Sequence, residues 1–185
     1  MRVKALPRSK AKTAYDLIGE LITEILAEPA RLYMDNWVVS YKNRVFMRFY
    51  GGWTSDKTAA LNNGYDNMLD AKGPACGTVG CAAGWICLLR GDVPAIDVVD
   101  NHRAFEHLFG QPYLFPSRRP PVVSALDDIF HSSPSGEYGT KKYVNGVVKR
   151  LRDYRKEFAT ELKTYTLPKI TRRSKKQIDE LLATV

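Results

Sequence analysis

The sequence predicts a mainly α (α+β) fold: a helical domain around one buried central helix, with a small two-stranded β-hairpin. Three observations predict it. Residues 76–89, CGTVGCAAGWICLL, carry no charged side chain, and a helix that is uncharged all round must be covered all round. Residues 13–28 and 141–165 step their apolar side chains at intervals of three and four, the period of one helix face. Residues 37–50 concentrate β-branched and aromatic types and are followed by Gly51-Gly52.

Taken in order, the first helix has the clearest start. Thr13 can accept from a backbone N–H of the first turn, and Asp16 three residues later can reach back, which together make a capping box. Leu17, Ile18, Leu21, Ile22 and Ile25 form its apolar face, Glu20, Glu24 and Glu28 its polar one, and Pro29 ends the pattern. WVVSY at 37–41 and RVFMRFY at 44–50 read as the two strands of the hairpin. Residues 53–74 hold no sustained period, only the turn signals Asn62-Asn63-Gly64 and Gly73-Pro74, with a short helix expected at 57–61.

The central helix follows. Thr78 is its expected N-cap, Arg90 suits the negative end of the helix dipole, and Gly91 its C-terminal stop. Gly80 and Gly84 are four apart inside it. Each costs about 1 kcal/mol relative to alanine, a cost that close approach of another backbone would explain. Cys81 and Trp85 share a face by the same spacing. A further helix is expected from about residue 95 to 108 with Gly110 after it, then a proline-containing connector, and a short helix over 122–130. The longest helix starts near Lys141 and runs through Tyr165. After Pro168, Ser174 with Gln177 marks a last helix. The expected organisation is a basic arm over 1–12, one globular domain over 13–166, and a basic linker with a C-terminal helix over 167–185.

Charge is distributed unevenly along the 185 residues, whose net charge is +8. Residues 1–12 hold five bases and no acid, and residues 141–176 hold thirteen bases against three acids, whereas residues 13–140 hold ten bases and fifteen acids. Two basic ends flanking an acidic middle suggest contact with an anionic partner, nucleic acid or an acidic protein. The expected contacts are Lys149, Arg150, Arg152, Arg155, Lys156, Arg172, Arg173, Lys175 and Lys176. The same asymmetry allows the ends to pack on the acidic middle, with no partner at all. No recognised DNA-binding motif is present, and a connector of about ten residues before Lys141 is too long for a helix-turn-helix.

Nothing specifies a reaction. The sequence has no phosphate-binding glycine loop, nucleophile elbow or paired metalloprotease histidines. Cys76, Cys81 and Cys87 read as small buried side chains. The alternative is a thiol enzyme with Cys81 at a helix N-terminus as nucleophile and His107 as its base. Asp127-Asp128 with His131 reads as a cap or surface pair. No cofactor or metal is expected: Cys76 and Cys81 lack the two-residue spacing of zinc ligands. The expected setting is the cytoplasm, because no apolar signal-peptide core follows the basic N-terminus and no run is long enough for a membrane span.

The segment CGTVGCAAGW, preceded by AEPARLYMDNW and followed by EHLFGQPYLF, resembles an uncharacterised bacterial and bacteriophage protein family with a CGTxxCxAGW motif. The resemblance covers roughly residues 14–130. It implies a shared fold and a phage or prophage origin, with the host cytoplasm as the setting if phage-encoded, and it implies no activity; the phage or mobile-element accessory role is expected from the basic segment 141–176 together with the lack of a catalytic set. Thr78, Gly80, Cys81, Gly84 and Trp85 within it are expected to serve structure. The overall expectation is a non-enzymatic interaction protein that engages a polyanion through its basic ends.

Overall fold

A computed structural model describes residues 8–29, 32, 37–41, 44–49, 52–54, 78–79, 82–91, 100–110, 119–131, 134 and 140–169. Among them the chain is mainly helical: α1 (Ala14–Ala27), α2 (Ala82–Leu89), α3 (Asp100–Phe109), α4 (Pro121–His131), α5 (Lys141–Glu157) and α6 (Ala159–Thr164). Helix α1 packs against α5, α2, α6 and α3, and α4 packs on α5. The most intimate remaining helix pair is α2 with α3.

The start of α1 follows from its capping box. Thr13 Oγ1 accepts from Asp16 N at 3.2 Å, and Asp16 Oδ2 accepts from Thr13 N at 3.3 Å. Two of the orphan N–H groups of the first turn are thereby satisfied. Leu17, Ile18, Leu21 and Ile25 are then fully buried. Each such side chain contributes about 1.5–3 kcal/mol through removal of apolar surface from water. The core they join includes Trp85, Ile86 and Leu89 of α2, Phe105 and Leu108 of α3, and Val147 and Leu151 of α5.

Short extended segments are traced through the backbone at β1 (Trp37–Tyr41), β2 (Arg44–Phe49), β3 (Gly52–Thr54) and β4 (Thr78–Val79), in the order β3-β2-β1-β4. Antiparallel pairing aligns Val39 with Phe46, Arg48 with Trp53, and Val38 with Val79. Strand β4 corrects one expectation. Thr78 is not the N-cap of the central helix, because it lies in an extended pair with β1, and α2 begins four residues later at Ala82. Thr and Val are β-branched, which favours the pleated backbone over the helical one. Gly80 and Cys81 fall outside the described residues.

Helix α2 is buried along almost its whole length: Ala82, Ala83, Gly84, Trp85, Ile86, Cys87 and Leu89. Its end matches the expected stop. Gly91 adopts φ 73°, a conformation glycine enters without steric cost, and its N–H donates to Leu88 O at 2.8 Å.

The long C-terminal helix is a second correction. Thr140 Oγ1 accepts from Tyr143 N at 3.3 Å and starts α5 as expected, but the helix breaks at Phe158 (φ −98°, ψ 22°) before α6 resumes. No proline or glycine causes the break. Phe158 packs its ring on Tyr154, with centroids 5.2 Å apart, while Leu162 of α6 is fully buried. Beyond α6, Thr166 forms an antiparallel bridge with Thr13 at the start of α1.

Two glycines mark close helix contacts of different kinds. A Cβ on Gly146 of α5 would stand 2.8 Å from Pro134 Cβ, a rigid ring, whereas one on Gly19 of α1 would meet the guanidinium of Arg155 at 3.0 Å. Gly146→Ala is therefore expected to lower stability by about 1–3 kcal/mol through overpacking. Gly19→Ala should cost far less, because a flexible side chain can shift. Urea denaturation of the two variants checks the contrast.

Tyr154 carries a buried polar contact: its hydroxyl donates to Val122 O at 2.9 Å, linking α5 to α4. Burial raises its pKa well above the usual 10.0, and the charges of Glu161 and Tyr165 push the same way. Above pH 10 the unfolded chain releases this proton while the folded chain keeps it, so stability present below pH 10 is lost as pH rises. Denaturation midpoints measured from pH 8 to 11 should fall above about pH 10, and less steeply in Tyr154→Phe.

Candidate nucleic-acid interface

Helix α5 divides into two faces. Tyr143, Val144, Val147, Val148, Leu151 and Tyr154 are buried. Opposite them Lys141, Lys142, Asn145, Lys149, Arg152 and Lys156 are exposed. At 3.6 residues per turn these six fall within about 100° of arc and extend over roughly 22 Å of helix. Five of the six are cationic. Asp153 and Glu157 border the stripe rather than interrupt it, and Asp153 Oδ2 lies 2.5 Å from Lys149 Nζ. That pair is exposed at 77% and 62%, so it contributes at most about 1 kcal/mol, and an incoming anion can displace it.

The structure sorts the expected contacts. Lys149, Arg152 and Lys156 lie on the outward stripe. Arg150 is half-buried beside it. Arg155 turns the other way: its Nε donates to Tyr15 O at 2.9 Å, and its guanidinium carbon stands 3.7 Å from the centre of the Tyr15 ring. This arginine fastens α5 to α1. The absence of a side chain at Gly19 leaves room for it. Arg172, Arg173, Lys175 and Lys176 lie outside the described residues. Lys141 and Lys142 were missed, although their place on the wheel was computable once the helix start was known.

The alternative in which the basic ends fold onto the acidic middle also has a counterpart. Residues 8–12 lie along α1 as a strap: Lys10 N donates to Glu20 Oε1 at 3.1 Å, and Ser9 N donates to Leu89 O at 2.8 Å. Between strap and helix runs a groove of about 760 Å³ whose charged lining mixes Arg8, Lys10, Lys12 and Arg155 with Asp16, Glu20 and Glu24. Nearly balanced charge makes this groove a poor host for a polyanion. The exposed face of α5 has no comparable set of acids.

The cysteine reading gains little. Cys81 and Cys76 lie outside the described residues. Cys87 is fully buried, and His107 is only 1% exposed, on a helix packed against α2. Asp127 is engaged with Arg119 in an ion pair whose side chains are 14% and 4% exposed, so it serves the packing of α4. Among the described residues no cluster of three His, Cys, Asp or Glu side chains could hold a metal ion. No described helix is long and apolar enough to cross a membrane.

No protein-family model, curated protein or solved structure matches the chain. The arrangement of its own residues therefore carries the functional reading.

Because Arg155 works as a fastener, Arg155→Ala is expected to lower stability by about 1–2 kcal/mol through loss of its ring contact and hydrogen bond. It should leave the salt dependence of polyanion binding unchanged. Thermal melts and binding isotherms on one preparation check both halves.

Proposed function

We propose that this protein is a non-enzymatic binding module that holds nucleic acid by its phosphate backbone along the outward face of α5. One observation carries the reading: Lys141, Lys142, Lys149, Arg152 and Lys156 are exposed together on a single helix face. A rigid row of cations gains affinity chiefly by releasing the counterions condensed on a polyanion. Lysines act as point charges on phosphate and read no base sequence, so the binding is expected to be sequence-tolerant.

The small hairpin belongs to the same reading as an accessory element of a mainly helical domain. An accessory role of phage or mobile-element kind, exercised in the cytoplasm, is part of the same proposal, in keeping with the resemblance of CGTVGCAAGW to an uncharacterised bacterial and bacteriophage protein family. Acidic proteins offer carboxylates without the dense charge spacing of a phosphate chain, which favours nucleic acid as the partner.

Binding to duplex DNA, single-stranded DNA, RNA and an acidic control protein at graded salt tests the reading. With all five cations engaged on duplex, log K should fall against log salt with a slope near −4.5, at about −0.9 per phosphate. A triple variant, Lys149→Ala with Arg152→Ala and Lys156→Ala, should flatten the slope by about 2.7 and leave the melting temperature unchanged. Absence of affinity for every nucleic acid at low salt would overturn the reading.

A further inference from the structure

The two lysines that open α5 stand where a helix least favours them. The positive end of the helix dipole repels cations in the first turn, yet Lys141 and Lys142 occupy it and no acid accompanies them. An anion seated at this end is attracted by two ammonium groups and the dipole together.

Around the helix axis the exposed cations fall on two edges. At about 100° per residue, Lys141 and Arg152 lie about 20° apart, as do Lys142 and Lys149, and the two pairs are separated by about 80°. Asn145 and Lys156 run between them. Among the described residues, the one ion pair these side chains make joins Lys149 to Asp153, in an exposed position where an anion can replace it.

The same face offers no ring to a base. The aromatic residues of α5 are Tyr143 and Tyr154, each 3% exposed and part of the buried core, and the Tyr154 hydroxyl is bound to Val122 O. Proteins that hold single strands combine a basic track with aromatic side chains on which successive bases stack. A flexible strand laid along this face would lose conformational freedom and gain no stacking.

A duplex arrives stiff, with its bases already stacked. It also presents two rows of phosphates, one on each side of a groove, whereas a single strand presents one. The major groove of B-form DNA, about 12 Å wide, admits an α-helix, whose diameter with side chains is about 10–12 Å. Two cationic edges on one helix match those two rows. The major groove of A-form RNA is too deep and narrow for side chains to enter, so the match is to DNA.

We propose that the α5 face selects double-stranded DNA over single strands, with Lys141 and Arg152 directed to the phosphates of one strand and Lys142 and Lys149 to those of the other. This rests on the nucleic-acid reading of the same face and names the form of its partner.

The test is binding of the full chain to a DNA duplex of about 20 base pairs, to each of its separated strands, and to an RNA duplex of the same sequence, at matched phosphate concentration and graded salt. Duplex DNA is expected to bind about tenfold more tightly than either strand or the RNA duplex at low salt. Two variants address the edges, Lys141→Ala/Arg152→Ala and Lys142→Ala/Lys149→Ala. All four residues are exposed, so both variants are expected to fold, and circular dichroism reports whether they do. Each should reduce the salt slope on duplex DNA by about 1.8, at about 0.9 per phosphate. Equal or tighter binding of a single strand or of the RNA duplex overturns the selection of duplex DNA and leaves α5 as a general holder of nucleic acid. A folded edge variant whose duplex slope is unchanged overturns the two-edge geometry in the same way. Absence of affinity for every nucleic acid sinks the underlying reading, and this one with it.

Discussion

The described fold depends on how α1 is enclosed. Its apolar face buries Leu17, Ile18, Leu21 and Ile25 against α5, α2, α6 and α3, which is more neighbours than one amphipathic face can meet by simple antiparallel packing. The antiparallel bridge between Thr13 and Thr166 makes the arrangement possible. It anchors the start of α1 to the segment after α6, and α6 packs against α1. Leu162 then enters the core, and the aromatic contact between Phe109 and Tyr165, with ring centroids 4.9 Å apart, brings α3 to the same corner. The same anchor sets residues 12–14 beside residues 165–167.

What the sequence made legible was local chemistry with a fixed geometric meaning. A Thr-x-x-Asp pair before an apolar period can do little other than cap a helix, and it does so at Thr13. Glycine after the last periodic residue ends α2 at Gly91 and stands at φ 71° after α3 at Gly110. The apolar stripe of α5 coincides with its buried residues. Thr78 shows the opposite case. Its hydroxyl suits a cap and its branched Cβ suits a strand, so local chemistry was ambiguous, and pairing with β1, distant in sequence, decided the outcome. The break at Phe158 was invisible because the three- and four-residue stepping continues through it.

The site was half legible for a related reason. Composition identifies a basic segment but assigns no azimuth to its members. Arg152 and Arg155 are three residues apart and look equivalent as letters, yet one faces outward and the other lies across Tyr15. What distinguishes them is the three-residue step, which turns Arg155 toward α1, where it lies over Tyr15 and next to Gly19. Lys141 and Lys142 belong to the stripe only because Thr140 fixes where the helix begins.

Charge asymmetry along a chain is often read as a choice between an external partner and internal neutralisation. Here the geometry divides the bases between both roles. Residues 8–12 lie on α1, where Asp16, Glu20 and Glu24 face the shared groove, so part of the N-terminal charge is balanced internally. Arg155 is held by a ring and a carbonyl. Once these are subtracted, the five cations of the α5 stripe remain, bordered by two carboxylates, Asp153 and Glu157. Internal neutralisation therefore uses the acidic middle without exhausting the basic ends. An anionic partner would meet charge that folding has sorted onto particular faces rather than the average of +8.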